Sequence, residues 1–267
     1  MKQTDVLVVG SGIAGLFFAI KASRKRPDLS ITIMVKDTAV ETNTRYAQGG
    51  IAGVLTRSRD HFEEHIKDTL AAGGGVCDEE VVRMVVQQAP ERLRELIDLG
   101  VEFDRNTLGS FDLALEGGHS QPRILHHSDS TGAEIEAALL RAVRELPNIT
   151  LLENYFAESL LTKEDKCIGV RYIDPDGNYR KMAAGSVILC TGGCGQLFAK
   201  TTNPAVATAD GLAMAHRAGA RLAGMQYIQF HPTALFEPGK SQCFLLSEAL
   251  RGFGAHVLDD DGKRFVF

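Results

Sequence analysis

Cysteine is scarce and poorly placed for chemistry of its own. Five stand at 77, 167, 190, 194 and 243. The number is odd and the spacings are unrelated, which fits neither a disulfide framework, a zinc ribbon nor a redox pair. They read as reduced, mostly buried thiols of a cytosolic protein. Long hydrophobic runs are missing too. No stretch approaches the ~20 apolar residues a bilayer span needs. A strand-like run begins almost at once, at Asp5, where a signal peptide would stand. A soluble, cytoplasmic protein without a membrane partner is expected. Positive charge is not in excess: the formal charge is -5, which gives no reason to expect nucleic acid. There is no internal repeat and no low-complexity linker. What remains is ordinary globular composition, 44% apolar and 24% charged over 267 residues. That is enough for one large or two smaller domains.

The opening "DVLVVGSGIAGLFFAIKASRK" is the most informative stretch. Val6 to Val9 form an all-apolar run, as a strand buried on both faces does. Gly10, Gly12 and Gly15 follow as G-x-G-x-x-G, and Leu16, Ala19, Ile20 and Ser23 continue as a helical stripe. A second buried strand over 29–37 closes a βαβ unit. In that context the glycines suit a pyrophosphate at a helix N-terminus: a tight turn, a close backbone approach, and helix–strand packing. A ligand-free glycine turn is the lesser alternative. The end of the second strand carries Lys36 and then Asp37. An acid for ribose hydroxyls is usual there, so an ordinary NAD site is disfavoured, although Lys36 can still reach a ribose or a phosphate. "SVILCTGG" (186–193) is another apolar strand running into glycines, either a second contact to a dinucleotide or a plain βα turn.

Elsewhere the periodicity predicts a loop over 41–56 and helices over 60–72, 79–99, 131–146 and 209–220. Pro90 implies a break or kink in the second of these helices. Thr131 and Glu134 fit a capping box. Short alternating runs from Ile149 to Ala184, with a turn at "DPDG" (174–177), predict a small antiparallel meander. Residues 225–236 look strand-like, and a hairpin is expected around 259–264. Between these lies "LEGGHSQPRILHHS" (115–128), with three histidines, Glu116 and Arg123. Taken alone it suits a metal site, an acid–base site or a substrate clamp. A metal-dependent hydrolase is one reading of it, but His126 and His127 are adjacent and no H-E-x-x-H or Cys/His pattern occurs; no metal is expected.

Several motifs in one order carry a family resemblance: "VVGSGIAGL", "YAQGGIA", "EGGHS", "RILH", "TGG", "TTNP", "ADGLAMAHRAGA", "QFHPTAL" and "SEALRG". Together the chain resembles the flavoproteins of the succinate dehydrogenase/fumarate reductase class over nearly its whole length. The resemblance implies an α/β fold: a Rossmann-like FAD-binding domain with a small antiparallel β-meander, and the start of a capping domain over the substrate. The expected division is 1–230 for the FAD domain and 231–267 for the start of the cap.

The implied cofactor is FAD. The residues matched to it are Gly10, Ser11, Gly12, Ile13, Ala14 and Gly15, then Lys36, Asn43, Thr44, Tyr46, Ala47, Gln48, Gly49 and Gly50, and finally Thr191, Gly192 and Asp210. Members with covalent flavin carry a histidine just before "AQGG"; here the position is Asn43, which cannot form that bond, so non-covalent FAD is expected. Glu116 stands where the dehydrogenases have a neutral residue. A carboxylate there can pair with the ammonium of L-aspartate, a group succinate lacks.

Within the class the chain is therefore most similar to the branch that oxidises L-aspartate to iminoaspartate. That branch passes electrons to oxygen or fumarate and opens the quinolinate route to NAD, which implies a functional link to quinolinate synthase. His231 and Ser247 match substrate-binding positions. Glu248 and Arg251, three apart, match the proton relay beside the active-site arginine. Phe253 replaces an acid that is common in the family motif. His119 and Ser120 are expected near flavin or substrate, and His126 and His127 as supports for their loop. The family's catalytic arginine, second substrate histidine and last FAD-binding strand have no match here. The chain thus reads as the N-terminal part of such an enzyme, expected to be inactive alone and to bind FAD weakly. A succinate dehydrogenase or fumarate reductase flavoprotein and an inactive flavin-binding module are the alternatives.

Overall fold

The computed structural model describes residues 2–55, 60–231, 233–247, 250 and 254–265. In chain order the elements are β1 (Lys2–Val9), α1 (Ile13–Lys25), β2 (Ile31–Met34), β3 (Ile51–Ala52), α2 (Phe62–Ala72), α3 (Glu79–Asp98), β4 (Leu113–Ala114) and β5 (Ile124–Leu125). They continue with α4 (Thr131–Arg144), β6 (Ile149–Leu152), β7 (Phe156–Lys163), β8 (Lys166–Ile173), β9 (Tyr179–Leu189), α5 (Asp210–Arg217), β10 (Ala234–Leu235) and β11 (Phe244–Leu245). By packing they form two compact units: residues 1–46 with 135–245, and residues 47–134 with 246–267.

The first unit is built on a six-stranded sheet in the order β6-β2-β1-β9-β8-β7. β6, β2, β1 and β9 are parallel, while β8 and β7 continue from β9 antiparallel. The α/β class expected from the sequence is thus present. The sheet's two faces alternate along each strand. Leu7, Val9 and Met34 join a core with Val170, Tyr172, Met182 and Met214 of α5. α1 packs on β1 and β2 with Leu16, Ala19 and Ile20 fully buried. That burial explains the all-apolar Val6–Val9 run.

The meander needs correction at both ends. β6 is a parallel edge strand paired with β2, because Ile149–Leu152 adds to the sheet in register with Ile31–Met34. β9 is one eleven-residue strand that takes in the separate apolar strand expected at 186–190. Residues 179–183 of β9 pair with β8, and 182–189 pair with β1. Only β7–β9 is a meander, and it belongs to the main sheet. The 174–177 turn is present, with Gly177 at φ +81° donating its N–H to Asp174 at 2.9 Å. Residues 225–233 form no strand among those described, and only Ala234 and Leu235 pair, with β11. A turn closes at Tyr227, whose N–H donates to Gly224. The hairpin near 259–264 is present as a Leu258–Arg264 bridge.

The second unit holds α2, α3 and the three-stranded sheet β3-β5-β4. Of the break or kink expected at Pro90, the break is absent: α3 runs on through it. Proline removes one helical donor, and here its ring is buried in the helix interior face. The capping box also fails. The Thr131 hydroxyl accepts from the His127 N–H at 2.9 Å, and the Glu134 carboxylate accepts from the Glu102 N–H at 3.2 Å. Both side chains turn to the preceding loop because that loop has unmatched donors of its own. Among the described residues no helix is long and apolar enough to cross a membrane.

Candidate functional site

In the first unit a cleft opens where β1, β2 and β9 end. The turn from β1 into α1 explains the glycines. Gly10 sits at φ +109°, and a Cβ there would lie 2.2 Å from the Cys190 carbonyl oxygen. A Cβ on Gly15 would lie 2.1 Å from the Gly10 carbonyl oxygen, so helix and turn touch directly. Gly12 is the N-cap of α1, and no side chain bonds back from it. The Ile13 N–H is instead met by Thr44 Oγ1 at 3.0 Å. Ser11 Oγ ties the turn to the Ala39 carbonyl at 2.8 Å.

Eleven of the expected cofactor residues line this cleft. Gly10, Ser11, Gly12, Ile13 and Ala14 form its floor. Lys36, Asn43 and Thr44 come from beyond β2, and Thr191, Gly192 and Asp210 from beyond β9. Gly15 lies one layer behind, against Gly10. Tyr46 points elsewhere, its hydroxyl donating to Glu41. Ala47, Gln48, Gly49 and Gly50 belong to the second unit.

The acid missing from the end of β2 arrives from α5. Asp210 pairs with Lys36 at the rim, each about a quarter exposed, and Thr208 joins both. A carboxylate and an ammonium side by side can accept from ribose hydroxyls and donate to a phosphate. The placement of Asp210 depends on strain. Ala209 just before it is left-handed at φ +66°, and its N–H reaches the Gly193 carbonyl at 3.3 Å. Next to it, Gly211 has no room for a side chain: a Cβ would sit 1.9 Å from Thr191 Oγ1. Sequence spacing could not show that Lys36 and Asp210 meet, because 174 residues separate them.

In the second unit the 115–128 stretch closes around Arg123, which is fully buried. Arg123 Nε and Nη2 donate to the two oxygens of Asp60, each at 2.8 Å. Nη1 donates to Asp68 at 2.5 Å and lies 3.2 Å from His119 Nδ1. Arginine only donates, so His119 Nδ1 is the acceptor and its proton sits on Nε2. Asp68 also accepts from the N–H and the hydroxyl of Ser120, at 2.8 and 2.7 Å. Burial alone would raise the Asp68 pKa; the bonds from Arg123 and Ser120 outweigh it and bring it down to about 2. Burial, helped by the Arg123 charge, pushes His119 and His65 below the usual histidine value. Their rings lie 5.6 Å apart.

This network fixes the loop that carries Glu116. The Glu116 carboxylate lies against Gly49, 3.5 Å from where a Cβ would stand there. Gly50 has its own constraint, since a Cβ would meet the Leu125 carbonyl oxygen at 2.1 Å. Two expected motifs, "AQGG" and "EGGHS", therefore share one surface. Arg123, Asp60 and Asp68 were not singled out as a group from the sequence. Arg123 alone was visible, inside the histidine-rich run. Its partners lie 63 and 55 residues away on and before α2.

His126 contacts Asp104 at 3.2 Å, and His127 Nδ1 the Glu102 carbonyl at 2.9 Å. Ser247 Oγ donates to Asp129 at 2.8 Å, within the second unit. His231, in the first unit, has its Nδ1 2.9 Å from the Thr233 carbonyl oxygen. Glu248, Arg251 and Phe253 lie outside the described residues. Among the described residues no group of His, Cys, Asp or Glu side chains is arranged to hold a metal ion.

The start of α1, the glycine cradle and the Lys36–Asp210 rim fit the phosphates and sugar of a dinucleotide. Residues 5–266 match the family model described as the FAD binding domain. The chain belongs to this family of FAD-binding flavoproteins, and FAD is its cofactor. It is 43% identical over 278 residues to the chloroplastic L-aspartate oxidase of Arabidopsis thaliana, covering 99% of this chain and 42% of that relative. It is 44% identical over 268 residues to the L-aspartate oxidase of Nostoc sp., covering 100% and 45%. A solved E. coli quinol fumarate reductase superimposes with a TM-score of 0.92 at 30% identity, covering 98% and 45%. The chain spans about half the length of the curated relatives it matches.

Proposed function

We propose that the chain serves the FAD-dependent oxidation of L-aspartate to iminoaspartate, with oxygen or fumarate as electron acceptor. The carrying observation is Glu116, a carboxylate that lies against Gly49, in the loop that Ser120 and Arg123 tie to Asp68. It offers a fixed anion to the substrate ammonium, which succinate and fumarate lack. The names of the curated relatives support the same choice.

FAD, when bound, accepts the hydride. The cleft residues hold its phosphates and ribose, and Asn43 leaves the flavin unbonded, so the cofactor dissociates. Glu116 reads the ammonium. His231 and Ser247 serve the substrate carboxylates, and Glu248 with Arg251 carries the proton. The functional division runs from a FAD domain over 1–230 to the start of a cap at 231. The product enters the route to quinolinate and NAD, in the cytoplasm, which links the chain functionally to quinolinate synthase. The test uses the whole protein as its gene encodes it, loaded with FAD and mixed anaerobically with L-aspartate or succinate. Loss of flavin absorbance is expected to be faster with L-aspartate; faster bleaching by succinate overturns the proposal in favour of a dehydrogenase.

A further inference from the structure

Beneath the loop that follows β2 lies a carboxylic acid with no part in the chemistry above. Glu136, in the second turn of α4, is 1% exposed. Its Oε2 accepts from Thr42 Oγ1 at 2.8 Å, and its Oε1 is buried without a hydrogen-bond partner. The same Thr42 hydroxyl accepts from the Arg45 N–H at 3.2 Å, closing the turn 42–45. The two residues inside that turn are cofactor residues. Thr44 caps the Ile13 N–H, and the Asn43 amide lies 3.5 Å from where a Cβ on Gly192 would stand. One buried carboxyl thus supports, through one hydroxyl, the segment that meets both the start of α1 and the glycines after β9.

We propose that Glu136 is a positioning residue for FAD: its neutral carboxyl anchors Thr42 and holds the 42–45 turn on the cleft, and its ionisation releases that hold. A buried carboxylate with one oxygen unpaired is costly. The Thr42 bond by itself favours the carboxylate, but it meets only Oε2; Oε1 stays bare, and the ionised form relieves that cost by drawing in water or Arg45, a movement that displaces Asn43 and Thr44. Arg45 is the charged side chain whose field reaches Glu136 among the described residues. Burial raises the Glu136 pKa, against the Thr42 bond and the Arg45 charge, to about 7. The sign follows. A folded pKa above the unfolded value means full support below about 4.5, lost as pH rises through about 7. The inference rests on the cleft holding FAD and is independent of which substrate is oxidised.

The experiment titrates the full chain with FAD by quenching of flavin fluorescence, from about pH 5.5 to about pH 8.5, alongside thermal unfolding without FAD. In the wild type, FAD affinity is expected to fall up to about tenfold by one pH unit above the pKa, while Tm without FAD falls from about pH 5.5 to about pH 7 and then levels off. Glu136→Gln keeps the shape and cannot ionise, so both curves become flat and stay at the low-pH level. The same slope in the variant, or a flat wild type, overturns the proposal. Binding by neither protein at any pH overturns the cofactor assignment along with it. Should Glu136→Gln not fold, Thr42→Val tests the same anchor: weaker FAD binding at about pH 6 is expected, and unchanged binding overturns the proposal.

Discussion

Arg123 and Asp60 meet fork to fork: Nε and Nη2 of the arginine each donate to a different carboxylate oxygen at 2.8 Å. Arg123 is fully buried, and Asp60 nearly so. Such planar, two-bond recognition cannot be copied by lysine.

Breaking that pair is expected to be severe. Arg123→Met leaves Asp60 and Asp68 facing each other without their cation. A loss of about 3–5 kcal/mol in denaturant unfolding is expected, as for other half-removed buried pairs. Arg123→Lys should recover less than half of it. A loss below about 1 kcal/mol for Arg123→Met would show that the network is slack.

Asp68 predicts an acid limb. Its folded pKa of about 2 lies below the ordinary 3.8. Its contribution is therefore complete above pH 3.8 and is lost as pH falls through about 2. The shift is worth about 2 kcal/mol. In Asp68→Asn the unfolding free energy should fall less steeply between about pH 4 and about pH 2 than in the wild type. Parallel acid limbs would remove Asp68 from the account.

Gly211→Ala should reach the cofactor through Thr191. The new Cβ meets Oγ1 at 1.9 Å, Cβ at 2.9 Å and Cγ2 at 3.0 Å of that threonine. Turning the side chain about χ1 leaves the Thr191 Cβ in place at 2.9 Å, so rotation alone does not clear the clash. Overpacking is expected to cost about 1–3 kcal/mol. FAD affinity, followed by fluorescence, should drop several-fold, since Thr191 lines the cleft. Unchanged affinity and stability would mean that α5 shifts freely.

Glu116→Gln should raise the KM for L-aspartate much more than that for fumarate reduction, because only the first substrate carries an ammonium. Steady-state kinetics of the whole protein with each substrate measures the difference. Equal changes in both would remove the specificity role.

What could be read from the residues was local. The glycine turn and the helix after it are short-range patterns, and each stands where the pattern placed it. Glu116 and the "AQGG" glycines each stand in a legible motif, and Glu116 lies against Gly49. What escaped was long-range. The Arg123–Asp60 pair and the Lys36–Asp210 pair join distant segments with no periodic signal. Thr131 and Glu134 have the spacing of a cap, yet the preceding loop outcompetes the helix for both side chains. β9 reads as two strands because its partner changes along its length: its first part pairs antiparallel with β8 and its second parallel with β1.

That strand also sets an order in time. β1 gains β2 on one side within about two dozen residues of synthesis, but Val9 waits for Leu189 on the other. At roughly 5–20 residues per second, a ribosome takes on the order of ten seconds or more to supply it. Through that interval β1 carries an open, apolar edge, the kind that recruits stray strands. The nascent polypeptide therefore has its greatest need of shielding early, and the arrival of β9 ends it.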